Sequence, residues 1–349
     1  MIKDRHKTVV VLNMLLSLLF CVMQPIHAQN NTATIGYRNA LDTLKVLIEE
    51  DKPQSFKDAV FIVENTFLDN HLDKSWYEKT IEALAIIAKT WLRYNPIKYH
   101  ASDSINFGLN MAIYKVMKDT VSLDVSPIEK YHTVPYTYDF NDFFGREDWA
   151  NVSVVKLLLT KKGNCRSLPY LYKLIADELN AFCWLSFAPN HIYIKNKSQR
   201  AGWYNTELTS GSFPVDAWIA TSGYVPIDAI RNGIYMDTLS NQQAIAQCVL
   251  DLAKGYEFKT KNYQDGFILK CCDLVLQYHP ANVQALLLKA ETLKHVYEGN
   301  KVQAIYKDME ATYIRILELG YREMPERMYM QWLKSAIEQR DKFSNKQLN

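Results

Sequence analysis

Between Gly163 and Gly211 the chain reads GNCRSLPYLYKLIADELNAFCWLSFAPNHIYIKNKSQRAGWYNTELTSG, and a thiol, an imidazole and a carboxylate follow one another in it: Cys165, His191 and Glu207. These are the parts of a cysteine nucleophile, the base that moves its proton and the group that orients the base. A thiol attacks a carbonyl only as thiolate, an anion favoured by a helix N-terminus and by a neighbouring imidazolium. The sequence places Cys165 at such a helix end, where its backbone N–H is a candidate oxyanion donor. Glu207 is one candidate to hold the His191 tautomer. Asn205, two residues earlier and so on the same face of a strand, is the other.

The elements that must carry these groups are legible around them. Gly163 permits a tight turn, Asn164 can cap a helix, and Pro169 is tolerated near a first turn, where its missing N–H is not needed. Leu168, Leu171, Tyr172, Ile175, Ala176 and Leu179 then form an apolar stripe, predicting a helix laid with one face on a sheet. FCWLSFA and HIYIK are β-branched and aromatic, and the Gly202–Leu208 run follows after a polar turn, so helix, strand, strand, strand is expected between Cys165 and about residue 232. His191 opens the second of these strands, which would aim its ring at the helix end.

Taken together, the GNC helix, the PNH strand and the GWYNTELTSG strand resemble the core of the transglutaminase-like superfamily, within the papain-type cysteine enzymes. The resemblance implies Cys165 as nucleophile, His191 as base, Glu207 in the acidic position, Trp203 in the place of that family's tryptophan and Thr209 in that of its threonine. It marks Trp203 and Asn164 as substrate-binding candidates. The chain departs from the pattern in having Glu-Leu-Thr for Asp-Pro-Thr, Asn190 before His191, and Tyr193 where Trp is commoner. The motifs cover roughly 70 of the 349 residues.

The flanking sequence is mostly helical. LDTLKVLIEE, FKDAVFIVENTFL and YEKTIEALAIIAKTWLRY carry apolar residues at helical spacing after a polar stretch from Gln29 to Thr34, and Ser75 is a plausible N-cap. A further helix is expected over Ile105–Met117, an aromatic loop or short strands over 121–148, and a helix over 151–160. Asp139, Asn141 and Asp142 are placed to contact a substrate or, the reading favoured, to cap that loop. Beyond Asn241 the periodicity is helical again. Tyr278-His279-Pro280 divides two helices there, and Ala290 and Tyr306 fall at positions that resemble those of a tetratricopeptide repeat, while Lys289 and Val302 depart from it, so an ordinary helical bundle is the alternative. The fold class expected is therefore α+β, a helix on an antiparallel sheet, flanked by an N-terminal helical region and a C-terminal, tetratricopeptide-like one. The boundaries are 1–28, 29–120, 121–240 and 241–349.

Lys3, Arg5 and Lys7 followed by the apolar Val9–Met23 run and Ile26-His27-Ala28 read as a secretory signal peptide over 1–28, predicting an exported protein, periplasmic or extracellular, with no stable membrane span after cleavage. Of six cysteines, Cys21 lies in that segment. An odd number remains, so at least one thiol stays unpaired in an oxidising compartment. Cys271 and Cys272 are expected as small buried hydrophobes. A net charge of +2 without a basic stripe argues against nucleic acid. No Cys/His cluster suggests a metal, and no motif calls for a cofactor. Two functions are consistent with all this. One is an exported cysteine enzyme acting on amide bonds of a peptide or protein substrate by hydrolysis or acyl transfer. The other is a catalytically inactive scaffold whose C-terminal helices bind a peptide or envelope partner.

Overall fold

A computed structural model of the chain describes residues 26–49, 55–126 and 129–346. Residues 1–25, most of the expected signal peptide, lie outside the described residues.

The N-terminal helices are α1 (Ile26–Glu49), α2 (Phe56–Phe67), α3 (Lys74–Tyr94) and α4 (Ser104–Lys118). Helix α1 already runs through Gln29–Thr34, the stretch expected as a polar lead-in, because nothing before Gly36 breaks it. Helix α3 is capped by Asp73, whose carboxylate accepts from the Ser75 and Trp76 amides; the expected cap, Ser75, lies inside the helix. The hairpin β1 (Ser122–Ser126) and β2 (Glu129–His132) follows, then β3 (Thr137–Tyr138). A 3-10 turn at Trp149–Val152 leads into α5 (Val154–Thr160) and β4 (Lys162–Gly163), which pairs parallel to β3.

Next come α6 (Ser167–Glu178) and the antiparallel sheet β5 (Trp184–Ala188), β6 (His191–Ser198) and β7 (Gly202–Thr206), in that spatial order. This is the helix-then-three-strands unit the motifs called for. The short helices α7 (Asp216–Ser222) and α8 (Ile227–Arg231) lead to the long C-terminal ones: α9 (Asn241–Thr260), α10 (Phe267–Tyr278), α11 (Val283–Asn300), α12 (Gln303–Glu318) and α13 (Glu326–Lys346). The His279-Pro280 junction falls where expected, with Asn282 capping α11 through the Ala285 amide. The architecture is α+β, dominated by helices, with small sheets.

Helix α6 is not laid on the sheet by one face. Every residue from Ser167 to Ala176 is buried, with α3, α4 and α5 packed on it besides β5 and β6. The stripe expected from periodicity understates this because Tyr170 and Tyr172 also go inside. Their hydroxyls are satisfied there: Tyr170 donates to the Asp251 carboxylate (2.8 Å) and Tyr172 to the Asn110 carbonyl (2.9 Å). A buried phenol needs such an acceptor, which helices α9 and α4 provide. One continuous apolar core thus runs from Tyr37 in α1 through α6 to Leu333 in α13. Cys183, Cys248, Cys271 and Cys272 are buried within it as free thiols.

Candidate active site

The helix end that carries Cys165 is built by two small residues. A Cβ on Gly163 would collide with the Ser167 hydroxyl and come within 2.7 Å of Leu157 Cδ1, so only glycine lets α5 and the start of α6 approach so closely. Asn164 then caps the turn: its Oδ1 accepts from the Arg166 amide (3.0 Å) and the Ser167 amide (2.9 Å), and its Nδ2 donates to the Phe143 carbonyl (2.9 Å). Asn164 borders the cavity described below, with both ends of its amide engaged by protein. The Cys165 N–H has no hydrogen-bond acceptor among the described residues, which leaves it for an oxyanion.

His191 is aimed at that helix end by a tight turn between β5 and β6. Ala188 pairs with His191 across it, Pro189 sets the first turn residue, and Asn190 takes a left-handed backbone (φ 57°), a conformation asparagine tolerates better than most residues. The Cys165 Sγ lies 3.7 Å from the Asn190 carbonyl oxygen and adjoins the imidazole. His191 Nε2 is 2.5 Å from Glu207 Oε2. The second carboxylate oxygen, Oε1, accepts from the Thr209 amide (2.8 Å) and hydroxyl (2.5 Å). A closed loop, with Glu207 and Ser212 exchanging backbone bonds and Gly211 at φ 68°, holds Glu207 and Thr209 in this relation. The Glu-Leu-Thr sequence therefore places a carboxylate and its own hydroxyl support against the histidine.

Both members of the pair are buried, His191 at 3% and Glu207 at 2% exposure. Burial alone would push the imidazole pKa down, but the Glu207 carboxylate and the adjoining Cys165 outweigh it and hold His191 up at about 10. Burial would likewise raise Glu207, and the imidazolium and Thr209 bring it below the ordinary carboxylate value. The two directions agree on an ionised imidazolium–carboxylate pair at neutral pH.

Asn205 does not share this task. Its amide donates to the Pro214 carbonyl (2.9 Å) and to Asp216 (2.7 Å), so it ties β7 to α7 and makes no bond to His191. It faces the expected side of the strand, but one residue pair further from the helix end. Trp203 also lies elsewhere. It pairs with Lys197 at the far end of the hairpin, about 20 Å along the strand from His191, is 45% exposed, and meets Trp184 edge-on at 5.1 Å. Alternation along a strand cannot say how far along it a side chain sits from a site.

Two residues that cover the histidine come from α13, which carries no motif. The Tyr329 hydroxyl lies 3.2 Å from His191 Nδ1 and adjoins Cys165. Burial first, then the nearby thiol, raises the Tyr329 phenol well above its ordinary value, so it stays neutral and its oxygen accepts from the Nδ1–H of the imidazolium. Trp332 meets the imidazole edge-on at 4.9 Å and donates its indole N–H to Ser222 (2.9 Å). The one sign of them in the sequence is an aromatic pair three residues apart on an amphipathic helix, which reads as core.

A cavity of about 650 Å³ opens beside Cys165 and His191. Phe143, Phe144, Trp149 and Phe187 form its apolar wall. The Asp142 carboxylate holds the loop that presents the two phenylalanines, accepting from the Arg146, Glu147 and Asp148 amides and the Asn151 side chain. Asp139 pairs with Lys156 at 2.6 Å. Asp142 thus caps the loop from within, and Asp139 ties it to α5. Among the described residues no group of three or more His, Cys, Asp or Glu side chains could hold a metal ion, and no helix is long and apolar enough to cross a membrane.

No protein-family model matches the chain, and no curated protein matches it. Among solved structures, the crystal structure of menin that reveals its binding site for the Mixed Lineage Leukemia protein aligns over 82% of this chain and 69% of menin's, at 10% identity and a TM-score of 0.37. A likeness of that size decides neither fold nor function.

Proposed function

We propose that this chain is an exported cysteine enzyme that transfers acyl groups from amide bonds of peptides or protein side chains, on a transglutaminase-like core with a tetratricopeptide-like tail. The observation that carries the reading is the buried His191–Glu207 pair at 2.5 Å with the Cys165 thiol adjoining the imidazole at a helix end. The cavity beside the thiol favours turnover over a purely scaffolding role, since a scaffold needs no space there.

The chemistry proceeds from these groups alone. The Cys165 thiolate attacks the amide carbonyl carbon, forming an S–C bond and moving the carbonyl π pair onto oxygen, which the Cys165 N–H receives. As the oxyanion collapses the C–N bond breaks, and the departing amine takes a proton from the His191 imidazolium. Neutral His191, oriented by Glu207, then accepts a proton from the incoming water or amine as it attacks the acyl carbon. The S–C bond breaks, and the resting thiolate–imidazolium pair returns.

The test is the pH dependence of Cys165 alkylation by iodoacetamide. In the wild type the rate is expected to stay high well below the pH at which free cysteine ionises, and in His191→Ala the profile should move to that of a free thiol. A wild-type profile like that of free cysteine, unchanged by His191→Ala, would remove the proposal.

A further inference from the structure

Helix α9 is buried almost all round, yet it carries a polar line, Gln247, Asp251 and Lys254, at helical spacing toward the cavity. Such a line inside a protein asks for partners. Asp251 has them: Arg166 Nη2 at 2.9 Å, the Tyr170 hydroxyl at 2.8 Å and the Gln247 amide at 3.4 Å. The cations do not. Arg166, the residue after the nucleophile, is 9% exposed and lies between the Trp149 and Tyr170 rings (5.5 and 5.3 Å), with its Nε and Nη1 lacking any hydrogen-bond acceptor. Lys254 Nζ has a single long bond, 3.4 Å to the Gln284 side-chain Oε1. Of the charged residues that line this part of the cavity, two are cations, Arg166 and Lys254, and one is a carboxylate, Asp251, while the buried Glu64 carboxylate acts on Arg166 from outside it. At the rim, the exposed Arg146 is already paired with Glu326 at 2.5 Å, and Glu323 adds a further negative charge there.

We propose that this inner end is a carboxylate subsite, in which Lys254, backed by Arg166, receives a carboxylate borne by the residue whose acyl group goes to Cys165. One anion supplies the close acceptor that Lys254 lacks, in the same cavity that Cys165 lines. Desolvated cations pair best with a carboxylate that is desolvated with them. The aromatic wall formed by Phe143, Phe144 and Phe187 would cover the stem of the same residue. The carboxylate can come from an acidic side chain or from a free α-carboxyl group, and both satisfy the same chemistry. The inference rests on the acyl-transfer reading for its orientation, but the subsite itself does not need a reactive thiol.

That independence sets the experiment. In the Cys165→Ala protein, which cannot turn over, calorimetry measures binding of N-acetyl-glutamate α-amide (side-chain carboxylate), N-acetyl-glutamine (free α-carboxylate) and the neutral N-acetyl-glutamine α-amide. At least one anionic compound should bind roughly tenfold or more tightly than the neutral one, and the tighter of the two identifies the source. Adding Lys254→Met should abolish that preference while leaving the neutral compound's affinity unchanged; Lys254→Gln serves the same purpose should the methionine variant misfold. Equal binding of all three, no binding of any at millimolar concentration, or a preference that survives loss of Lys254 would each overturn the subsite. Failure of the alkylation test above would instead remove the nucleophile and leave this result standing.

Discussion

At the scale of single residues, Glu207 carries two duties that one substitution separates. Its charge holds His191 protonated, and its Oε1 anchors the Thr209 loop. His191 titrates near 10 in the folded chain against an ordinary 6.5, so its contribution to stability is complete below about pH 6.5 and is lost as pH rises through about 10. Glu207→Gln keeps the shape and removes the charge. Thermal unfolding followed from pH 6.5 to 10 should show a falling Tm in the wild type and a flatter profile in Glu207→Gln, and Cys165 alkylation at pH 7 should slow by roughly a hundredfold or more. Parallel Tm profiles would show that the pair is not ionised. Asn205→Ala should leave the alkylation profile in place, since that amide serves Pro214 and Asp216.

At the scale of elements, the junction between α10 and α11 is where pH meets packing. His279 is 5% exposed, lies parallel to Phe187 of β5 at 6.2 Å, and is pushed down to about 4 by burial. Its folded value is depressed below the ordinary 6.5, so the stabilisation it gives is present above about pH 6.5 and is lost as pH falls through about 4. His279→Phe keeps the stacking area and cannot be protonated. Its Tm should hold up between pH 6.5 and 4 where the wild type declines; an identical decline would place the acid sensitivity elsewhere. Glu64 makes a comparable link between α2 and α5, its two oxygens accepting the Val154 (2.6 Å) and Val155 (3.0 Å) amides at the α5 N-terminus. Glu64→Ala leaves two buried N–H groups unmet and should cost on the order of 2–4 kcal/mol in denaturant unfolding.

The elements around the site were largely legible before the structure. β-branched runs, the Pro-Asn turn and the Gly-Asn cap are local signals, decided within a few residues, and they put α6, β5, β6 and β7 in order with the thiol and imidazole at facing ends. Burial of α6 on all sides was not legible, because Tyr170 and Tyr172 look amphipathic until Asp251 and Asn110 arrive from other helices to take their hydroxyls. The choice between Glu207 and Asn205 was not legible either. Both stand on one strand face, and the difference lies in which reaches the helix end.

At the scale of the whole molecule, α13 returns from the end of the chain to close the site. Trp332 is 6% exposed and touches His191, Trp218 and Ser222. Trp332→Ala should cost about 3–5 kcal/mol, as large aromatic truncations in cores do, with a matching fall in Tm by calorimetry. An unchanged Tm would mean that α13 contributes little to the fold. Export, the expectation from residues 1–28, belongs to this scale too and falls mainly on residues outside those described.

By itself the sequence determined the chemistry on offer and the local frame for it: a thiol at a helix start, a histidine at a strand start, a carboxylate two residues before a threonine. These are set by backbone propensities and short-range hydrogen bonds, which act over a few residues and can be read in order. Only the tertiary structure decided that Glu207 and not Asn205 meets the imidazole, that Trp203 stands far from it, that Tyr329 and Trp332 cover it, and that Arg166 and Lys254 share a cavity with one carboxylate between them. Those outcomes depend on contacts between residues up to 141 positions apart, as His191 and Trp332 are. Such contacts form only when buried polar groups and apolar surface from several helices are satisfied together, and no periodicity along the chain records that.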